Sequence, residues 1–375
     1  MKKSLGIYIH IPFCLKKCHY CDFCSFPGTD GTKMNAYTKE LCRRMRQAAS
    51  DCAAYTVDTV YFGGGTPTLL PLFCFETLMG TLRDAFEIDE DAEITAECNP
   101  ATADLSYLSA LRGMGINRLS IGLQSTIDRE LRAIGRAHTY ADFLRTFGEA
   151  REAGFDNISV DLMYALPDQR AEDFRASLRA VVELRPEHIS AYGLKIEEDT
   201  YFGRIAPTLR LPDEEEELRM YLSSTEITRE AGYRRYEISN LSLPGRESRH
   251  NLRYWRGEEY LGFGVAAHSC FGGVRFGNGR NMEAFLRGED ITVERYALSK
   301  LDELNEYLIL NLRLSEGLDT AELRERFGIA AEELSPVLPR LIGEGLMRME
   351  GDRLSFTDRG FFVSNAILSE LMREE

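Results

Sequence analysis

The sequence predicts an α/β protein: a partial (β/α)6 barrel, TIM-like but incomplete, followed by a small C-terminal winged-helix domain. Three observations carry that prediction. Short β-rich runs alternate with amphipathic helical patterns from the N-terminus to about residue 240, as in a parallel sheet. The polar residues of those runs gather at their C-terminal ends, where parallel barrels keep their chemistry. Beyond residue 300 the pattern changes to helices and a two-stranded hairpin. Six strand units, fewer than a closed barrel needs, leave one side open to a large substrate.

The first strand is the apolar run Gly6–Ile11, closed by Pro12 and followed by a loop carrying Cys14, Cys18 and Cys21. The second, Asp58–Phe62, leads into Gly63-Gly64-Gly65-Thr66-Pro67-Thr68, where the glycines let backbone groups approach a ligand and Pro67 fixes the turn. Glu97 closes the third strand, Glu93–Glu97, and Gln124 follows the fourth, Arg118–Gly122. Asp161 lies at the end of the fifth, Ile158–Leu162, and His188–Tyr192 is the sixth. Between them the helical patterns are Met34–Arg46, Phe73–Ala85, Leu105–Met114, Tyr140–Ala153 and Ala171–Leu184. The acid run Asp213–Glu217 reads as the solvated start of a further helix, where carboxylates favour the dipole.

The most informative stretch is Cys14-Leu-Lys-Lys-Cys18-His-Tyr-Cys21. Three thiols at this spacing can hold three irons of a 4Fe–4S cluster and leave the fourth iron open to a ligand. Two other readings use Cys24, which extends the loop by a further Cys-x2-Cys. It could complete a tetrahedral zinc site, or complete the cluster as in an electron-carrying ferredoxin. Structural zinc sites usually split their ligands into two separated pairs, and an electron carrier needs none of the downstream motifs. Glu97 ends a strand that otherwise reads as buried, so its carboxylate needs a cationic or donor partner.

Bulk composition narrows the class. The chain has 375 residues, 44% hydrophobic and 28% charged, with a formal net charge of -15. That balance disfavours nucleic acid and anionic membrane surfaces as partners. No segment reaches the length of a membrane span. Met1-Lys-Lys resembles the start of a leader, but His10 and Pro12 interrupt the apolar run, so none is expected. Nine cysteines, with Cys42, Cys52, Cys74, Cys98 and Cys270 scattered singly, indicate a reducing compartment and predict a cytoplasmic protein.

These motifs resemble the radical S-adenosylmethionine (SAM) superfamily, whose signature is this cysteine spacing with an aromatic residue, here Tyr20, before the last thiol. The resemblance implies that SAM chelates the open iron through its amino and carboxylate groups. An electron from the cluster then cleaves it to a 5′-deoxyadenosyl radical. Within the superfamily the chain resembles the branch of the oxygen-independent coproporphyrinogen III dehydrogenases (HemN) and their relatives regarded as heme chaperones (HemW). The matching segments run along almost the whole chain: Tyr8–Cys14, Gly63–Thr68, Arg118–Gln124, Ile134–His138 and Asp161–Pro167. Carried over residue by residue, SAM contacts fall on Tyr8, Gly64, Gly65, Thr66, Glu97, Gln124, Arg136 and Asp161. Arg136 would pair with the SAM carboxylate, and Gln124 and Asp161 would bond ribose hydroxyls. Ala165 and Asp168 stand where the family more usually has glycines, which puts the local backbone in question.

Three features lean toward the heme-chaperone side of the branch. The dehydrogenases carry an N-terminal lid before the cysteine loop, whereas Tyr8 arrives almost at once. Their extra cysteine two places after the third ligand is Phe23 here, with Cys24 one residue later. Finally, residues 236–269 match the chaperones, and His250-Asn251-Leu252-Arg253-Tyr254 fits the His-Asn-x-x-Tyr pattern associated there with heme binding. The resemblance implies heme as cargo, acceptor hemoproteins as partners, an electron donor if the radical chemistry is used, and His250 as a candidate iron ligand. Tyr254 and Trp255 could stack on the macrocycle, and Arg249, Arg253 or Arg256 could meet its propionates. His268 reads as a buried, satisfied histidine, His10 as a packing residue and His19 as solvent-facing. The rival function is oxidative decarboxylation of coproporphyrinogen III.

The expected organisation is a barrel over residues 1–240, an extension over 241–290 and a winged-helix domain over 300–375, with a boundary near 288–300. Helices are expected at Leu301–Leu312, Asp319–Arg326 and Ala331–Gly343, and a hairpin at Leu346–Phe356 turning on Gly351-Asp352. A winged helix opens a third reading, a DNA-binding iron–sulfur sensor. Its recognition helix would carry Glu332, Glu333, Pro336 and Pro339 against Arg340 alone, and phosphate binding needs cations. A docking or lid role suits it better.

Overall fold

The computed structural model describes residues 2–373, the side chain of Glu332 excepted. Six parallel strands form the centre: β1 Lys3–Ile11, β2 Tyr55–Gly64, β3 Ile88–Cys98, β4 Arg118–Gln124, β5 Ile158–Tyr164 and β6 His188–Gly193. They pair in sequence order, as the strand–helix alternation requires. Helices α1 Gly31–Ala48, α2 Leu72–Ala85, α3 Leu105–Gly113, α4 Tyr140–Glu152 and α5 Ala171–Glu183 form the connections. A longer helix, α6 Glu214–Glu230, opens on the acidic run, with the Asp213 side chain accepting from the amide of Glu216.

Neither edge of this sheet closes on the other. Beyond β6 lie two short antiparallel strands, β7 Arg234–Arg235 and β8 Asn240–Ser242. On the far side, β9 Tyr260–Phe263 adds to β1 in parallel, and β10 His268–Phe271, β11 Val274–Asn278 and β12 Thr292–Ala297 continue antiparallel. The twelve strands run β12-β11-β10-β9-β1-β2-β3-β4-β5-β6-β8-β7. Thus the segment where the chain pattern breaks near residue 290 carries an edge strand, every residue of which is exposed.

The His-Asn-x-x-Tyr segment is a helix, α7 Arg249–Trp255, and it plugs the N-terminal end of the barrel. The backbone amides of Arg249 and His250 both donate to the Glu93 carboxylate at 3.1 Å. Arg253, 2% exposed, pairs with Asp58 and also donates to the Glu259 carbonyl at 3.1 Å. This explains Gly6, since a Cβ there would lie 2.5 Å from the Arg253 side chain. The arginines expected for propionates are therefore occupied: Arg249 bonds the Asp91 carbonyl and Arg256 pairs with Glu316. Trp255 packs under Arg313, 5.6 Å from its ring.

The C-terminal part has α8 Lys300–Leu312, α9 Thr320–Phe327, α10 Leu338–Gly343 and the hairpin β14 Met347–Glu350 with β15 Arg353–Phe356, joined by the short strand β13 Leu318–Asp319. One expected helix, Ala331–Gly343, is broken: a 3-10 turn at Ala331–Glu333 precedes α10. Pro336 has no amide to donate and bars helical geometry at the residue before it. Helix α11 Ser364–Leu371 closes the chain. Arg340, the one cation of the would-be recognition helix, is held by Glu370 at 2.6 Å and Glu344 at 3.6 Å, so it has no charge to spare for phosphate.

Arg253→Met removes the close partner of Asp58 at the barrel floor and leaves only Arg249 at 3.9 Å. It should lower stability to urea by about 2–3 kcal/mol, with an unchanged m-value if the fold is retained.

Candidate functional site

The C-terminal ends of the barrel strands surround a cavity of about 470 Å³. Cys14, Cys18 and Cys21 line it, together with Gly64, Gly65, Thr66, Glu97, Gln124, Arg136 and Asp161. Ten of the thirteen residues singled out from sequence thus face one space. Tyr8, His250 and Tyr254 do not line it.

The loop with the three thiols is pinned to the glycine turn by backbone bonds. The amide of Gly65 donates to the Ile11 carbonyl at 2.9 Å and that of Thr66 to the Phe13 carbonyl at 2.7 Å. A Cβ on Gly65 would lie 2.7 Å from Phe13 backbone, and Gly64, at φ +110, has its hypothetical Cβ 2.4 Å from the His10 ring. The third amide, Gly64 N–H, donates to Glu97 at 2.9 Å. The glycines therefore serve close packing first, and a ligand reading this turn must bring donors rather than acceptors. The Thr66 hydroxyl reaches the Cys14 sulfur at 3.7 Å, and the Arg136 guanidinium reaches the Cys18 sulfur at 3.5 Å.

Cys24 stands apart. It is buried, does not line the cavity, and its carbonyl bonds the His10 ring at 2.8 Å. Among the described residues no group of three or more His, Cys, Asp or Glu converges on a point suited to a single metal ion. Three thiols on one cavity wall, with Cys24 outside it, suit a cluster better than a tetrahedral ion. Burial raises the Cys14 thiol and pushes Cys21 up to about 11, so both are protonated at neutral pH until a metal takes their protons.

The cavity wall is polar and mostly satisfied. Gly122 is where three groups converge: a Cβ there would meet Asn99, Gln124 and Arg136 at 3.0–3.1 Å. Asn99 donates to Thr66 at 2.7 Å and accepts from Arg136 at 2.5 Å, tying the glycine turn to the arginine. Gln124 sits at φ 73 where the β4–β5 register shifts, a left-handed backbone that turns its side chain toward the cavity. Glu97 accepts from the Tyr61 hydroxyl at 3.0 Å, and burial, with the Asp161 charge adding, pushes it up to about 7. Asp161 is also raised by burial, though three serine hydroxyls, Ser120, Ser159 and Ser190, support its carboxylate. Arg118, 2% exposed, lines the same cavity without an ion-pair partner among the described residues, and its Nε is unbonded. Ala165 and Asp168, which replace the more usual glycines, both lie at φ 59. The glycine-like backbone is kept, at a cost of about 1–2 kcal/mol each.

Beneath this site lie the three predicted residues that miss it. The Tyr8 hydroxyl bonds the His10 ring at 2.9 Å and its ring stacks 6.2 Å from Tyr61. His250 is 1% exposed, with Nδ1 on the Thr59 hydroxyl at 2.9 Å and Nε2 on the Tyr254 hydroxyl at 2.7 Å. Burial, with Arg253 adding, pushes it down to about 3, so it is neutral and both nitrogens are engaged. The other histidine readings also change. His268 is exposed rather than buried, its side chain at 62%, because it stands on an outer strand. His19 is half-buried, bonded to the Ala133 carbonyl and packed 4.6 Å from Tyr201.

Comparison with known proteins places this geometry. Residues 8–181 match the radical SAM superfamily, and residues 298–363 match the HemN C-terminal domain. The heme chaperone HemW of Escherichia coli K12 is 32% identical, over 99% of this chain and 98% of that protein. The HemW of Bacillus subtilis 168 is 33% identical over 98% and 99%, and that of Synechocystis PCC 6803 is 36% identical over 97% and 95%. The chain belongs to the HemW family. Within the radical SAM superfamily it shares its whole architecture with E. coli coproporphyrinogen III oxidase, HemN: TM-score 0.87 at 25% identity, covering 99% of this chain and 90% of that one. Membership of the superfamily implies a 4Fe–4S cluster and SAM. Among the described residues no helix is long and apolar enough to cross a membrane.

Sequence reading of this HemW-family chain missed Asn99, Arg118, Ser120 and Tyr61. A signal existed for three of them. On strands the inward positions repeat every second residue, so Glu97 implies Asn99, and Gln124 implies Gly122, Ser120 and Arg118.

Because the folded Glu97 value lies above that of an ordinary carboxylate, its contribution to stability is full below about pH 4.5 and is lost as pH rises through about 7. Glu97→Gln should therefore raise the melting temperature of the cluster-free protein at pH 8 and leave it nearly unchanged at pH 5, measured by circular dichroism.

Proposed function

We propose that this chain is a heme chaperone whose barrel holds a 4Fe–4S cluster on Cys14, Cys18 and Cys21 with SAM at the open iron, and which passes heme to acceptor hemoproteins. The observation that carries the reading is the set of three thiols facing the cavity while Cys24 faces away. Arg136 is raised and stays cationic beside Cys18, so it would offset the negative charge of a thiolate-bound cluster and face the SAM carboxylate. The glycine turn, its amides already used, would accept from the SAM ammonium. Glu97, Gln124 and Asp161 would hold the donors of the amino group and ribose, and Tyr8 would support this layer from below through Tyr61. When bound, the cluster supplies one-electron chemistry to SAM, which calls for an external electron donor.

Heme, in this proposal, is cargo. His250 and Tyr254 belong to the motif linked to it, yet His250 can ligate iron only if α7 leaves the barrel floor, since both its nitrogens are engaged. The ordered arrangement instead suits a supporting role. We take the protein to act in the cytoplasm and not on nucleic acid, the latter because Arg340 is already paired. The likeness to HemN favours one second reading, oxidative decarboxylation of coproporphyrinogen III.

Two experiments separate these. Alanine at Cys14, Cys18 or Cys21 should each reduce bound iron and sulfide after anaerobic reconstitution to near zero, while Cys24→Ala should retain them; loss in Cys24→Ala would favour a ferredoxin-like site. Side-by-side assays should give a heme absorbance spectrum and no vinyl-bearing porphyrinogen. The reverse result would favour the decarboxylase.

A further inference from the structure

We propose that the deep end of the barrel cavity binds a small monocarboxylate on the guanidinium of Arg118, at a place separate from the SAM-contacting layer above it. The site goes beyond the heme-chaperone reading and takes from it only the position of SAM. Arg118 is 2% exposed and lines the cavity, yet among the described residues it has no ion-pair partner and its Nε is unbonded. Arg253, equally buried, shows the usual solution: it pairs with Asp58 and lies 3.2 Å from Glu258. A guanidinium carries five donors in a planar fork and cannot shed its charge. Buried without a partner it is costly, and an anion that fits the fork removes the cost.

The acid on the neighbouring strand does not fill this role. Asp161 is served by hydroxyls instead, accepting from Ser120 at 3.1 Å and from Ser159 at 3.2 Å. Nor does the SAM carboxylate, which the proposed function places at Arg136. That arginine works at the upper level, with its guanidinium on the Asn99 side chain, on the Gly122 carbonyl at 2.6 Å and near the Cys18 sulfur at 3.5 Å. Arg118 opens β4 four residues before Gly122, about 13 Å lower along the strand. The next inward position, Ser120, is level with Ser159 on β5, and Ser159 with His188 on β6. The two arginines are thus separate cationic points, one beside the thiols and one at the deep end.

Charge and size define the ligand class. Glu97 and Asp161 face the same cavity, so a dianion such as sulfate or phosphate would set two negative charges among two carboxyl groups, whereas a monocarboxylate brings one. A carboxylate also matches the fork with two parallel N–H···O bonds. The whole cavity is about 470 Å³, near the small end of ligand pockets, and SAM would take its upper part. What remains suits a compound of a few carbons and is too small for a macrocycle. Met163 and the Tyr192 ring, both on the wall, offer apolar contact to a short alkyl chain.

The test is anaerobic calorimetric titration of the full-length, cluster-reconstituted protein, with SAM bound, by sodium acetate and sodium propionate. Acetamide, the neutral isostere, and sodium sulfate are the controls. Both monocarboxylates should bind saturably at one site, acetamide should not bind, and sulfate should bind more weakly than either. Arg118→Gln should weaken acetate roughly tenfold or more, while SAM still perturbs the cluster absorbance. Where that variant fails to fold, Arg118→Lys keeps the charge without the fork and should weaken acetate about threefold. No acetate binding by the parent, unchanged binding in whichever variant folds, or sulfate binding as tightly (an adventitious ion only) overturns the site and leaves the chaperone reading intact. Loss of the SAM response in a folded Arg118→Gln also overturns it, by making Arg118 a SAM contact. A parent cluster that ignores SAM is the failure of the SAM reading itself, and it is read before any acetate is added.

Discussion

The functional end of this molecule depends on two backbone hydrogen bonds, from Gly65 to Ile11 and from Thr66 to Phe13. They fasten the loop after β1 to the turn after β2, and no side chain fits between them at Gly65. Everything about the thiols follows from this. The loop leaves Cys14, Cys18 and Cys21 on the cavity side, and by the time the chain returns at Phe26 it has turned Cys24 inward beneath His10. A loop free to swing could offer four thiols, whereas a fastened one offers three.

The barrel interior below is unusual in being polar rather than packed with aliphatic side chains. Glu97, Asp161, Arg118, Tyr61 and His188 share it, and burial moves both carboxylates upward and His188 downward. Among the described residues Arg118 has no ion-pair partner, and its Nε is unbonded. Such an interior is costly when empty and becomes favourable when a ligand with matching charges enters. A zwitterionic ligand with an additional cationic centre fits that description. The α7 plug is held at the other end of the barrel by Glu93, Thr59 and Asp58.

Much of this was legible in the residues. All six barrel strands and five helices fall within a few residues of their expected spans, because apolar periodicity and the short strand-ending motifs agree. Ten site residues share one cavity because parallel strands put their C-terminal ends together whatever their sequence separation. What was not legible depended on contacts between distant segments. Nothing in Arg249–Trp255 marks it as a plug, since Glu93, Asp58 and Ser4 are its partners. The outer strands were missed because β9 to β12 are short, and β12 is exposed throughout. His268 was misread because its neighbours Val265 and Ala267 are buried while it points outward. Pro336 did carry a local signal, a helix break, that the Ala331–Gly343 expectation overrode.

The claim on which the account rests is that the polypeptide leaves one iron of the cluster for SAM. Mössbauer spectroscopy of protein reconstituted with enriched iron, recorded with and without SAM, tests it most directly. One iron subsite should change its isomer shift on adding SAM while the remaining three stay fixed. Four subsites that ignore SAM would contradict the account.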